Sequence, residues 1–165
     1  MSTLVVVTGL QGSGKSTVGR ILAERLNALL LRSDVIRREL FDVRHYTQDE
    51  TNVVFNTMFD RARSYLSEGK NVILDAVFAK KSERQTIREI AKNTGSAFIL
   101  IEVICDESIL KKRIEQRSGD ASEGEFEDYL KFKKIFEPIA EDHVLINNSG
   151  TRVDLQVSLK TLELN

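Results

Sequence analysis

Two apolar patterns alternate along the chain. Short, nearly unbroken apolar runs occur at 4–7, 29–31, 72–74, 98–105 and 144–146. Such runs suit strands buried on both faces of a parallel sheet. Between them, apolar residues recur every three or four positions. Val18, Ile21, Leu22 and Leu26 form one such set, and Val54, Met58, Ala62 and Leu66 another. That spacing predicts helices with one face in a core.

The punctuation of the chain sharpens these elements. Strands are predicted at Thr3–Thr8, 29–31, Asn71–Asp75, 97–105 and 144–146. Helices are predicted at 15–27 and 35–41, and a long one opens with the capping-box pattern Thr47-Gln-Asp-Glu50 and stops at Gly69. A second capping-box pattern, Ser82-Glu-Arg-Gln85, opens a helix to about 93, stopped by Gly95. Asp106 can cap a helix over 107–118, Ser122-Glu-Gly-Glu125 opens another to about 137, and 153–164 forms a terminal amphipathic helix. Strands alternating with helices predict an α/β fold: a five-stranded parallel sheet with helices on both faces, in a single domain over 1–165. In such sheets ligands bind at the carboxyl ends of the strands.

The first strand runs into Gly9-Leu-Gln-Gly-Ser-Gly-Lys-Ser-Thr17, and a helical pattern follows. Gly9, four residues, then Gly14-Lys15-Ser16 is the phosphate-binding P-loop pattern in its required strand–loop–helix setting. A loop around phosphate must turn tightly and aim several backbone N–H groups inward, which Gly9, Gly12 and Gly14 permit. The helix start at Lys15 adds its amides and positive dipole end. Lys15 can reach the β- and γ-phosphates, and the Ser16 hydroxyl can ligate Mg²⁺. The nucleotide-contacting set is therefore Gly9, Leu10, Gln11, Gly12, Ser13, Gly14, Lys15, Ser16 and Thr17, with ATP and Mg²⁺ as the implied cofactors.

Composition adds exclusions. The 165 residues are 41% hydrophobic and 30% charged, with a formal net charge of -1, so no global basic field draws the chain to nucleic acid. The single Cys105 cannot form an internal disulfide, and its apolar run reads as a buried thiol. The first residues lead straight into a strand with no signal-like segment, and no apolar stretch is long enough to span a membrane, so a cytoplasmic location is expected. His45 and His143 show no metal-ligand spacing.

Polar residues at predicted strand ends are the further candidates. Asp34 follows the second strand and is a base or orienting group for a substrate hydroxyl, or a helix N-cap in competition with Ser33. Arg37, one turn on, binds a substrate phosphate or carboxylate, or is a solvated arginine. Asp75 ends the third strand, as a second metal-holding acid or as a turn residue. Arg113 and Arg117 share a helix face and fit a lid over about 107–125 that neutralises a transferring phosphoryl, or a charged solvated helix. Residues 147–151 can approach an adenine or form a plain turn. Lys80, Lys81, Arg84 and Arg88 line a substrate mouth or face solvent.

At these residues the chain resembles the small P-loop kinases, and most closely the kinases inferred in the AAA-type ATPase domain family. The carrying stretches are Gly9 to Thr17, Leu31-Arg-Ser-Asp-Val-Ile-Arg37, Val72-Ile-Leu-Asp-Ala76 and Leu110-Lys-Lys-Arg113 to Arg117. The resemblance implies a three-layer P-loop fold with strand order 2-3-1-4-5 and a helical lid. The kinase domain of phage polynucleotide kinase has a similar Asp-x-x-Arg and a similar Arg-x-x-x-Arg. In that likeness Asp34 activates a hydroxyl, Arg37 meets the substrate phosphate, and Arg113 and Arg117 belong to the lid. Gluconate kinases resemble residues 132–138 and 144–146. The family pattern Asp-Ala-Thr-Phe reads Asp75-Ala76-Val77-Phe78 here, without the threonine hydroxyl. The expectation is an ATP-dependent phosphotransferase acting on a small-molecule hydroxyl, as a monomer or homodimer. The alternatives are a polynucleotide 5'-hydroxyl kinase and an ATP-hydrolysing switch.

Overall fold

The computed structural model describes residues 1–117 and 126–162. Its elements follow in the order β1 (Thr3–Thr8), α1 (Lys15–Leu26), β2 (Ala28–Arg32), α2 (Ser33–Leu40), α3 (Gln48–Ser67), β3 (Asn71–Asp75), α4 (Lys81–Asn93), β4 (Ala97–Ile104), α5 (Glu107–Gln116), α6 (Phe126–Ile135), β5 (Val144–Asn147) and α7 (Arg152–Lys160). The sheet is parallel throughout, in the order β2-β3-β1-β4-β5.

Strand alternation divides the core into two layers. Leu4 and Val6 of β1 point to one face, with Leu31, Leu74, Met58, Phe78 and Ile87. Val5 and Val7 point to the other, with Val18, Leu22, Ile101, Leu155 and Leu159. A smaller cluster of Leu110, Ile114 and Tyr129, with Leu10, Cys105 and Phe126 against it, joins α5 and α6 to the loop after β1.

The long α3 buries Val54, Met58, Ala62 and Leu66 as its spacing requires. Its N-cap Thr47 accepts from the Glu50 N–H, but the Glu50 carboxylate reaches past Thr47 to the N–H groups of His45 and Tyr46. Three helix starts differ from the sequence reading. α2 begins at Ser33, so neither Ser33 nor Asp34 is its N-cap; Arg32 holds that position without a side-chain cap. α4 begins at Lys81, so Ser82 lies inside it, because Glu83 caps two residues earlier by accepting from the Lys80 N–H at 3.0 Å. α7 starts at Arg152 because Thr151 and Asp154 cap each other reciprocally. α5 ends at Gln116, and Arg117 is extended beyond it. The expected lid tip at 119–122 and the pattern at Ser122-Glu125 lie outside the described residues.

Candidate active site

The loop between β1 and α1 is folded as a phosphate cradle. Gly12 and Gly14 have φ of +76° and +91°, a conformation costly for other residues. Both are also packed where a side chain has no room. A Cβ on Gly14 would stand 2.0 Å from Asn148 Nδ2, and one on Gly12 would stand 2.8 Å from Ile114 Cγ1. Asn148 braces the loop from the far side, donating from Nδ2 to the Ser13 carbonyl at 2.9 Å. Its own N–H is anchored on Ile104 O at 2.8 Å. Residues 147–151 read as an approach to an adenine or a plain turn; what the structure gives Asn148 is this support of the loop.

Three features of the loop suit an anionic ligand with a metal. The Ser13 hydroxyl is buried with no hydrogen-bond partner among the described residues and can donate to an anion. Lys15 is 8% exposed at the helix start, where the dipole is positive. Ser16 Oγ donates to Asp75 Oδ2 at 2.7 Å, so the hydroxyl and the second acid meet at one point. Bound nucleotide would thus be held by the loop amides and Lys15, and its metal by Ser16 and Asp75. Leu10 packs with the α5–α6 cluster, and Thr17 is half-buried in the first turn of α1.

Parallel register brings the charges together. Arg32 and Asp75 are paired across β2 and β3, and Val7 is paired with Asp75 across β1 and β3. Asp75 is only 3% exposed. Burial pushes its carboxyl above the ordinary range, while Lys15, the Ser16 hydroxyl and Arg32 pull it back; Asp34 adds to the upward push. Asp34, half-buried in the first turn of α2, therefore lies within electrostatic reach of this centre. Arg32 is the residue that the sequence reading passed over. Its register beside Asp75 was the available signal, once strand order was known.

Arg37 is buried and already engaged. It donates to Glu50 Oε2 at 3.0 Å and to Thr51 Oγ1 at 3.0 Å, and its guanidinium lies 4.9 Å from the centre of the Tyr46 ring. It ties α2 to the start of α3. Arg84, read as lining a mouth or facing solvent, does neither at 2% exposure. It donates to the carbonyls of Phe78, Ala79 and Glu137 at 2.8, 3.3 and 2.9 Å. It thereby clamps the loop after Asp75 to the chain leaving α6. Phe78 sits in that loop with a φ of +43° and no exposure. At Val77, where the family pattern has a hydroxyl, the carbonyl accepts from Thr8 Oγ1.

On the opposite flank, α5 carries Arg113. Its guanidinium is 3.4 Å from Cys105 Sγ and 3.5 Å from the Gly150 carbonyl. Cys105 is half-buried beyond the end of β4, not deep in the strand core as its apolar run suggested. Arg117 follows α5 and no longer shares a helical face with Arg113. A cavity of about 120 Å³ lies under α5 and α6, lined by Gly9, Leu10, Ser13 and Cys105 among others. The Glu107 carboxylate joins the two helices, accepting from Tyr129 at 3.0 Å and Lys133 at 2.5 Å.

A glycine cradle at the end of β1, with a helix N-terminus behind it and an acid on the neighbouring strand, defines the P-loop nucleotide-binding class. Within that class the identity is specific: residues 4–139 match the AAA domain family, and the chain belongs to it. An uncharacterised protein of Mycobacterium tuberculosis is 29% identical over 132 residues, which are 73% of this chain and 26% of that protein. The 6-phosphofructo-2-kinase/fructose-2,6-bisphosphatase of Aquarana catesbeiana is 27% identical over 91% of this chain and 39% of its own length. The chain thus spans about a quarter and two-fifths of these two relatives. Among solved structures, a gluconokinase from Sinorhizobium meliloti superposes with a TM-score of 0.73 at 20% identity, over 96% of this chain and 90% of that one. No described helix is long and apolar enough to cross a membrane.

Proposed function

We propose that the protein is an ATP-dependent kinase that transfers the γ-phosphoryl group to a hydroxyl of a small-molecule acceptor. The observation that carries this reading is the convergence of Lys15, Ser16, Asp75 and Asp34 at the carboxyl ends of β1, β2 and β3. Two similar proteins bear names of small-molecule kinases, a 6-phosphofructo-2-kinase and a gluconokinase, which supports an acceptor of that size.

Bound Mg·ATP would supply the transferable phosphoryl and the divalent charge beside it. Lys15 and the loop amides hold the phosphates in line, and Ser16 and Asp75 hold the metal. Asp34 takes the proton of the acceptor hydroxyl as its oxygen attacks. Arg113 and Arg117, carried by the α5 segment, shield the transferring group from water. Arg37 acts as a strut for the acceptor-side wall, because Glu50 neutralises it. That pairing engages the cation which a polynucleotide acceptor would use at this position.

The test is transfer of labelled γ-phosphate from Mg·ATP. One reaction holds pooled small alcohols, sugars, sugar acids, nucleosides and aminoglycosides; a second holds a 5'-hydroxyl oligonucleotide. Label is expected in the first alone. Asp34→Ala is expected to keep ATP binding and lose transfer; near-normal transfer by that variant would remove Asp34 from the mechanism. Label on the oligonucleotide, or ATP binding with no acceptor labelled, would replace this reading.

A further inference from the structure

The end of β2 supplies a cation that the mechanism above leaves unused. Arg32 Nε donates to Asp75 Oδ2 at 3.2 Å, and Arg32 Nη2 donates to Ser16 Oγ at 3.2 Å. Ser16 Oγ in turn donates to the same Oδ2 at 2.7 Å. The three groups close a triangle, with the Arg32 and Asp75 side chains 10% and 3% exposed. One guanidinium therefore faces both protein oxygens assigned to the metal.

We propose that Arg32 is a built-in counter-ion of the metal seat, one that a divalent cation arriving with nucleotide must displace. The inference rests on the reading of Ser16 and Asp75 as the metal-holding pair. A carboxylate as buried as Asp75 is costly without a cation, and Arg32 supplies one. The planar fork of arginine spans two oxygens at once, which a lysine ammonium on one point does less well. Mg²⁺ needs lone pairs on oxygens at about 2.1 Å in a near-octahedral shell. The Ser16 hydroxyl offers two lone pairs, and Arg32 takes one of them. A dication between Ser16 and Asp75 repels a guanidinium held on the same two atoms, so the two cations exclude each other. The route out is short: β2 is an edge strand, and Arg32 is its last residue. Lys15, the other cation near Asp75, is bound to the phosphates in this scheme and does not compete.

The consequence is a coupling between metal and Arg32 that nucleotide alone does not produce. In the intact chain with ¹⁵N-labelled arginine, the Arg32 Nε–H resonance is identified by its loss in Arg32→Lys. ADP without metal is expected to leave that resonance in place; ADP with Mg²⁺ is expected to shift it and speed its exchange with water. An Arg32 signal unmoved by Mg·ADP, while loop resonances report that ADP is bound, would overturn the proposal. Calorimetry of Arg32→Met gives the second reading. The ratio of ADP affinities with and without Mg²⁺ is expected to rise about fivefold or more over the unaltered chain. Affinity for metal-free ADP is expected to stay within about twofold. An unchanged or smaller ratio in the folded variant would overturn the displacement. Failure of ADP to bind in either form would overturn the kinase reading itself, and this inference with it.

Discussion

On the β3 side of the phosphate loop, parallel register sets Asp75 beside Arg32, and hydrogen bonds join both to Ser16 at the start of α1, with Lys15 buried next to it. On the α5 side, the loop meets Leu110 and Ile114, apolar side chains of a cluster separate from the main core. The first flank is rigid because the sheet positions it, and its charges face one another in a buried space. The second rests on a few van der Waals contacts, with Arg113 held by a weak bond to the Cys105 sulfur and one to the Gly150 carbonyl at the limit of length. Chemistry that needs fixed oxygens suits the first flank, and closure over a ligand suits the second. Mutations on the two flanks should therefore fail in different ways.

The largest expected effect is on the first flank and on activity alone. Lys15→Ala should cut phosphoryl transfer by about 10³-fold or more. Its melting temperature should stay nearly unchanged, since among the described residues Lys15 makes no side-chain hydrogen bond or ion pair. A melting temperature that collapsed along with activity would mean that the first flank is held by Lys15, against the contrast drawn here.

Gly14→Ala strikes the loop between the flanks. It combines a φ of +91° with a clash on Asn148 Nδ2. The cost should be about 3 kcal/mol in urea unfolding. Pairing it with Asn148→Ala should relieve the packing share and leave the backbone share. No relief would show that Asn148 is not what confines the loop.

Leu110→Ala tests the second flank. Leu110 is 2% exposed in a small cluster, so the loss should be about 2 kcal/mol, at the low end for a buried leucine. Affinity for ADP should fall with it, because Leu110 packs on the Gly12 side of the loop. A variant that lost stability but bound ADP normally would separate α5 from the nucleotide site.

The same contrast explains what the sequence made legible. Buried parallel strands announce themselves as apolar runs, so all five were located within a few residues and the strand order followed from the resemblance. The phosphate loop is a local motif, and every part of it lies within nine consecutive residues, Gly9 to Thr17. What was missed depends on partners distant in sequence. Glu50 lies thirteen residues beyond Arg37, so the pairing that engages this candidate substrate reader was invisible in the local sequence. The four carbonyls around Arg84 belong to two loops that meet only in the folded chain, so a fully buried arginine read as a mouth-lining or solvent-facing one. The start of α4 was displaced because Glu83 caps the Lys80 N–H, two residues before the serine that the pattern implied.

The smallest effects separate the two kinds of charge. Glu50 on the first flank is 8% exposed, and its pKa lies below the ordinary 4.5. The His45 N–H bond is the main cause, followed by burial in opposition, then Tyr46 and Arg37. Glu107 on the second flank also lies below 4.5, through Lys133 first and Tyr129 next, but its side chain is 48% exposed. A carboxyl depressed in the folded state adds stability above its unfolded pKa and loses it as pH falls through the folded value. The melting-temperature gap between the parent and either glutamine variant, Glu50→Gln or Glu107→Gln, should therefore be flat from pH 7 to about 5 and shrink below about 4.5. Salt divides the two. At about 1 M ionic strength the screening length falls to about 3 Å, so the Glu107→Gln gap should nearly vanish at pH 7. The Glu50→Gln gap should persist, because its donors are backbone amides and a buried guanidinium that salt does not reach. Equal salt sensitivity in both variants would show that the Arg37–Glu50 junction is as open to solvent as the α5–α6 contact.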